Sequence, residues 1–352
     1  MGGGGGGHRL DTLMVLWATW ALTSSLGHRD PQAAFIGNLG HVYDTCGLYF
    51  LLRIFIPSRA SVSAILAMAA LILAPVAVEM LWEQSTGQNL FSIFGGVSET
   101  SAIREGRIRS QGPFRHAILA GTVGATMLPL MVGLWQVRRH FALVGALACL
   151  VMLIASASSG PIMGLLAGIG AILLWPWREN MRVVRYVAVA GYILLELVMK
   201  APAYYLIARS NVVGGSTGWH RAALIETAIK HLDEWWWMGT DYTRHWMPTG
   251  VSWSPEHTDI TNHYLHLGVV GGLPLMVIFL AVLWRTFACI GDAVRGLGKS
   301  NPKEAYLVWT VGAALFAHVA TMISVSYFDQ SRLFLLLVIA VCPVLKRTAR
   351  QG

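Results

Sequence analysis

From Ser61 to Met80 the chain reads SVSAILAMAALILAPVAVEM, a stretch in which only Glu79 can carry a charge. A run of about 20 apolar residues covers the ~30 Å hydrocarbon core of a bilayer. In lipid such a run is driven to the α-helix, because every backbone N–H must find its acceptor within the segment. Apolar runs of helix length recur over roughly 11–27, 34–56, 60–83, 117–137, 139–157, 161–177, 184–200, 264–290, 305–327 and 332–346. Only 12% of the 352 residues are charged, against about 25% in soluble domains. The expectation is an all-α polytopic integral membrane protein of about ten transmembrane helices. Its single membrane domain runs over 10–346, between a glycine-rich, disordered cytoplasmic tail (1–9) and a cytoplasmic tail (347–352).

Lys and Arg gather in cytoplasmic loops, and alternate loops here hold Arg9, then Arg53 and Arg59, then Arg138 and Arg139. Arg178, Arg182 and Arg185 come next, followed by Arg295, Lys299 and Lys303 and then Lys346, Arg347 and Arg350. Both termini are therefore expected in the cytoplasm, with loops 84–116 and 201–263 on the opposite face. The net charge of +8 is accounted for by this bias, and no basic run with interleaved aromatics points to nucleic acid. Cys46, Cys149, Cys289 and Cys342 are scattered singly, which suits packing residues rather than a disulfide framework or a zinc site.

The two outward loops hold the chemistry. Loop 84–116 carries Arg104, Arg107, Arg109 and Arg115 against the charge rule. Either they pair with Glu83, Glu99, Glu105 or anionic lipid head groups, or their guanidinium forks form a site for phosphate oxygens. Loop 201–263 has turn-permitting Gly214, Gly215 and Gly218, the block Trp235-Trp236-Trp237, and Arg221, Arg244, His245 and His263. Ala222 to Trp237 places Leu224, Ile225, Ala228, Ile229, Leu232 and Trp236 on one face of an expected interfacial helix. Trp235 or Trp237 could instead stack on a sugar. His220, His231, His245, His257, His263 and His266 crowd this region without H-E-x-x-H or CxxC spacing, so no metal is expected. Glu226, Asp233, Glu234, Asp241, Glu256 and Asp259 show no spacing that pairs them for glycosidase work. A transporter or flippase component is the alternative, disfavoured because the ionisable residues within spans are few, chiefly Glu79, Glu196 and His318.

Arg109-Ser-Gln-Gly112-Pro-Phe114-Arg-His116 resembles the R-x-x-G-x-F-x-[HN] element of the O-antigen ligase and polymerase superfamily of bacterial membrane proteins. Gly218-Trp-His-Arg221-Ala-Ala-Leu224 is similar to its loop arginine at the start of an interfacial helix, and Trp237-Met-Gly239-Thr to the turn after that helix. Asn262-His263-Tyr264-Leu265 with Gly268-Val-Val-Gly271 resembles its loop-ending histidine motif. The order Asn262-His263 inverts the family's usual His-Asn and the spacing to Gly268 is short, so His266 stands as a rival to His263. Ser159-Gly160 replaces a frequent Ser-Arg, and many members have about twelve membrane helices.

The resemblance implies an enzyme of the bacterial inner membrane that moves a glycan from an undecaprenyl-pyrophosphate carrier to an acceptor glycan or lipid A core. The reaction would take place on the outer face among membrane lipids, with no cofactor and no metal. The leaving pyrophosphate needs fixed positive charge, a role that falls to Arg109 and Arg221. The acceptor hydroxyl needs a base, and His263 takes that role. Arg107, Arg115, His116, Arg244 and Trp237 are the expected substrate-binding residues.

Overall fold

A computed structural model describes residues 5–209, 218–251, 254–298 and 300–348. The tail expected over 1–9 is already helical at Gly5, where α1 (Gly5–Ser24) begins. Asp30 caps α2 (Pro31–Val42) by accepting from Ala33 N–H, and Pro31, which has no N–H to lose, fills the first helical position. A π turn over Tyr43–Gly47 leads into α3 (Leu48–Phe55). Ser58 caps α4 (Arg59–Thr86), which stops at Gly87 in the left-handed conformation (φ 74°). A two-stranded hairpin follows, β1 (Ala102–Arg104) against β2 (Arg107–Arg109).

The bundle continues with α5 (Ala117–Leu134), α6 (Arg139–Ala155), α7 (Ser159–Leu173) and α8 (Met181–Val198). The large loop then holds α9 (Leu206–Arg209), α10 (Gly218–Lys230), α11 (Leu232–Trp235) and the strands β3 (Gly250–Val251) and β4 (Ser254–Thr258). Last come α12 (His263–Leu297), α13 (Pro302–Met322) and α14 (Ser331–Thr348). Helix α5 is the axis of the core: it is buried along most of its length and packs on α4, α6, α7, α13 and α14. Gly124 lets α6 approach so closely that a Cβ there would meet Cys149 O at 2.5 Å.

The chain is a mostly helical membrane protein, but ten spans is too high a count. Helices lie at all ten apolar stretches. Four of them, 60–86, 117–134, 263–297 and 302–322, have the length and apolarity to cross a bilayer. A fifth is added if α7 and α8, bent by 77°, form one broken span. Length accounts for part of the shortfall: the 17 residues of α6 rise only about 25 Å, and the π turn divides the 34–56 stretch into α2 and α3. By contrast α1, 20 residues long, is too polar at its start, with Arg9 and Asp11. Apolar side chains on α4 (Met68, Leu71, Ile72), α8 (Val187, Ile193, Leu197) and α12 (Val277, Leu280, Trp284) remain exposed, as expected where lipid is the neighbour.

Two expectations about the large loop are corrected. The helix foreseen over 222–237 is two helices, α10 and α11, separated at His231. Its buried face is Arg221, Ala222, Leu224, Ala228 and Trp235, while Ile229, Leu232 and Trp236 are exposed. Leu224, Ala228, Trp235, Trp246, Met247 and Val269 make a small core of their own. The loop is thus a folded cap rather than a single amphipathic rod. Gly214 and Gly215 lie outside the described residues.

That cap is joined to α12 at a break. Gly271 (φ −151°, ψ 24°) and Gly272 (φ 73°, ψ −177°) leave the helical region, which frees carbonyls that a continuous helix would use. Thr240 N–H donates to Val269 O at 2.9 Å, Trp20 Nε1–H donates to Gly271 O at 2.7 Å, and Trp236 O accepts from Leu273 N–H at 2.8 Å. Cβ atoms at Gly239 or Gly272 would overlap backbone across this seam, and both glycines have positive φ.

Candidate functional site

A cavity of about 1090 Å³ opens at one end of the bundle. Its walls come from the α1–α2 connection (His28 to His41), the β1–β2 hairpin and the turn after it (Arg104, Arg109, Arg115, His116), Ala157 to Ser159, Arg221, the stretch 256–270, and 324–332. Since α5, α6, α7 and α13 run to and fro between these segments, the turns holding Arg138, Arg139, Arg178 and Lys303 fall at the other end. Loops 84–116 and 201–263 therefore share one cavity.

The turn that presents Arg109 and His116 is fixed from below. Glu83 is fully buried, and its Oε2 accepts from Gln111 N–H at 2.9 Å and Gly112 N–H at 2.8 Å. Ser101 donates to its Oε1 at 2.8 Å. Glu83 thus binds backbone and hydroxyl, contrary to the reading that paired it with arginines. Gly112 takes a left-handed φ of 57°, its carbonyl accepts from Asn89 Nδ2 at 2.8 Å, and Phe114 is buried in the core. Arg109 Nη2 donates to Ser158 Oγ at 2.8 Å, while its buried Nε has no hydrogen-bond partner among the described residues.

Arg221 reaches the same cavity from the first turn of α10. It is only 5% exposed, and its Nε is likewise buried without a partner among the described residues. Burial lowers the pKa of both guanidiniums, and the charge of Arg104 lowers each further; Asp259 opposes this at Arg221. An arginine remains a cation under such shifts, so the lowering marks positive charge held close together and stripped of water. Five carboxylates also line the cavity. Asp241 is engaged by His28, Asp329 lies 3.4 Å from Arg115, and Asp30 caps α2. Asp259 favours charge on Arg221 and His116, and Glu256 is the fifth.

The structure separates the histidines. His263, at the start of α12 where Asn262 caps the helix, is buried behind the cavity wall, and its Nδ1 accepts from Tyr327 N–H at 3.2 Å. His266, one turn on, lines the cavity beside His41, with ring centroids 5.9 Å apart. The rings of His263 and His266 stack at 6.0 Å. His116 caps α5 through Nδ1, which accepts from Ile118 N–H at 3.4 Å, and its ring is open to the cavity. Protein on its other sides lowers its pKa by burial first and then through the Arg109 charge, with Asp259 opposing.

Three expected binding residues stand elsewhere. Arg107 is exposed on the hairpin, opposite Arg104. Arg244 donates to Met247 O at 2.7 Å and Pro248 O at 3.1 Å, which ties a turn together. Trp237 packs edge-on against Trp20 of α1 at 5.3 Å, and Trp235 Nε1–H donates to Ala228 O at 2.9 Å. The Trp block thus fastens the cap.

Cavity residues that the sequence reading passed over include Arg332, whose Nε donates to Tyr327 O at 3.2 Å and whose Nη1 lies 3.7 Å from Asp44, and the pair His28–Asp241. Arg332 had a signal, being a lone arginine at the end of the last apolar run away from the basic loops. Asp241 was weighed only as a glycosidase carboxylate, and its pairing with His28, 213 positions away, had no signal.

No known protein-family model matches the chain, and no curated protein matches it either.

Proposed function

We propose that this protein is a membrane glycosyltransferase that moves a glycan from an undecaprenyl-pyrophosphate carrier to a sugar hydroxyl at the outer face of the inner membrane. The observation that carries this reading is the meeting of Arg109 and Arg221, from loops more than a hundred residues apart, on one cavity with buried Nε–H groups aimed at no described acceptor. Pyrophosphate oxygens are the acceptors such forks suit. In the reaction the acceptor hydroxyl oxygen forms a bond to the sugar's anomeric carbon as the bond from that carbon to the pyrophosphate oxygen breaks. The electron pair leaves with pyrophosphate, where fixed cations stabilise the growing charge. The hydroxyl proton passes to a base, and His266 is the base in this scheme because it lines the cavity. His263 takes a positioning role, since its Nδ1 is occupied by Tyr327 N–H and its ring stacks on His266.

The test is transfer by the full chain in lipid nanodiscs supplied with a lipid-pyrophosphate-linked glycan and an acceptor glycan, the products being separated by chromatography. Arg221→Lys keeps the charge and loses the fork, so transfer should fall at least tenfold. Near-normal transfer by both Arg221→Ala and Arg109→Ala would sink the proposal.

A further inference from the structure

In the cap, three side chains with metal-ligating atoms converge away from the large cavity. Glu234 Oε1 lies 2.9 Å from His231 Nδ1 and 2.9 Å from His245 Nε2, and all the ligand atoms of the trio are within 4.8 Å of one another. The other carboxylate oxygen accepts Trp246 Nε1–H at 3.0 Å. Stacking holds both imidazoles, His231 on Trp246 (5.9 Å, 11°) and His245 on Tyr242 (5.0 Å, 12°), and the two rings meet edge to face at 4.8 Å. Each side chain is about one third exposed. Glu234 and His245 also line a second cavity of about 490 Å³, whose wall includes His28, Thr240 and Asp241 of the first.

We infer that His231 Nδ1, His245 Nε2 and Glu234 Oε1 bind a divalent transition-metal ion of the zinc class, with a water from the second cavity in the fourth position. Tetrahedral zinc with bonds of ~2.0–2.1 Å sets its ligand atoms about 3.3 Å apart, so each 2.9 Å gap must widen by a few tenths of an ångström while the two imidazole nitrogens, within 4.8 Å of each other, adjust toward the same separation. Two imidazoles and one carboxylate are a borderline donor set that selects zinc or copper over magnesium and calcium. Trp246 supplies the outer hydrogen bond that holds a ligating carboxylate in one orientation. For both imidazoles to offer a lone pair to the ion, the N–H each turns toward the Glu234 carboxylate passes its proton to the ring's other nitrogen, so each stays neutral on binding, and the ion clips the junction of α10 and α11 to the turn at 244–246. The spacing, H-x2-E followed by histidine eleven residues on, matches no familiar zinc motif, so the site is legible only in three dimensions.

The test uses the full chain in detergent, stripped with a chelator and titrated with Zn²⁺ against a chromophoric chelator. Wild type and the exposed, remote His140→Ala should each hold one tight equivalent. His231→Ala, His245→Ala and Glu234→Gln should bind at least tenfold more weakly. Trp246→Phe, which keeps all three ligands and their ring stacking, should weaken binding by the ~10–100-fold expected of a lost outer-shell partner. Tryptophan emission and elution volume without metal identify any misfolded variant, in which case Trp246→Phe alone decides. No tight equivalent in wild type, or equal retention by wild type, Glu234→Gln and Trp246→Phe, would overturn the inference. Because the readout is metal retention, the result stands apart from the glycosyltransferase proposal.

Discussion

Replacing Glu83 tests whether the turn presenting Arg109 is held from beneath by hydrogen bonds or by ion pairing. The buried carboxylate accepts from Gln111 N–H at 2.9 Å, Gly112 N–H at 2.8 Å and Ser101 Oγ at 2.8 Å. Hydrogen bonds to a charged acceptor contribute about 1.5–3 kcal/mol each, and neutral ones about 0.5–1.5 kcal/mol. In Glu83→Gln the amide oxygen can keep both backbone bonds while the NH₂ donates to Ser101. That hydroxyl is then free to donate to Gly87 O, 3.3 Å away. Only charge assistance is lost, about 1 kcal/mol per backbone bond and so about 2 kcal/mol. Glu83→Ala strands two buried N–H groups at about 1–3 kcal/mol each, and the expected loss is about 4 kcal/mol. Thermal inactivation midpoints in detergent should rank wild type above Glu83→Gln above Glu83→Ala, with glycan transfer falling in the same order as Arg109 loses its seat. Arg109→Ala should leave the midpoint near wild type. Equal midpoints for Gln and Ala, or a fall in Arg109→Ala matching that in Glu83→Ala, would refute the reasoning and restore the ion-pair reading.

Four further outcomes follow. Gly272→Ala should destabilise the cap by more than the ~1–3 kcal/mol of a strained backbone, because its Cβ also overlaps Trp237 O; limited proteolysis of 218–262 in detergent would register it, and unchanged protection would count against the seam. His266→Ala should cut transfer ~10²–10⁴-fold, as for a missing base, with a smaller fall in His263→Ala; the reverse ranking would move the base back to His263. A cysteine at Arg107 should react with a membrane-impermeant thiol reagent in intact spheroplasts and one at Gly298 should not, against a low background because all four native cysteines are buried. Folding lowers the His116 pKa below the unfolded ~6.5, so the unfolded chain binds the extra proton first as pH falls. Stability should drop as pH falls below about 6.5, and His116→Asn, which can still cap α5, should flatten that part of the midpoint-versus-pH curve.

The helical membrane class was legible because long apolar runs leave a chain few choices. Span number was not, since apolarity does not reveal where the π turn at 43–47 interrupts the 34–56 stretch or where α7 and α8 bend. Arg109 could be singled out because a cluster of arginines in a loop expected to face outward runs against the charge rule, whereas Arg221 and His116 were picked out by the motifs that carry the family resemblance. His266 and His263 could not be told apart, because three residues on a helix put two side chains on neighbouring faces and only the packing of Tyr327 decides which one meets the cavity. The convergence of His231, Glu234 and His245 was not foreseen because eleven positions separate Glu234 from His245 and a turn brings them together.

The break at Gly271–Gly272 bears on how the protein is assembled. Carbonyls left open in hydrocarbon cost several kcal/mol each, and here their donors come from Thr240 in the cap and from Trp20 in α1. While α12 is entering the bilayer, before 218–262 has folded above it, the Thr240 donor is absent and an unbroken helix is the cheaper form. The bend is therefore expected to be a late event in biogenesis, set when the cap docks on the bundle. A chain whose cap cannot fold should stall with α12 straight, its upper turn displaced and the arginines of the two loops never brought together.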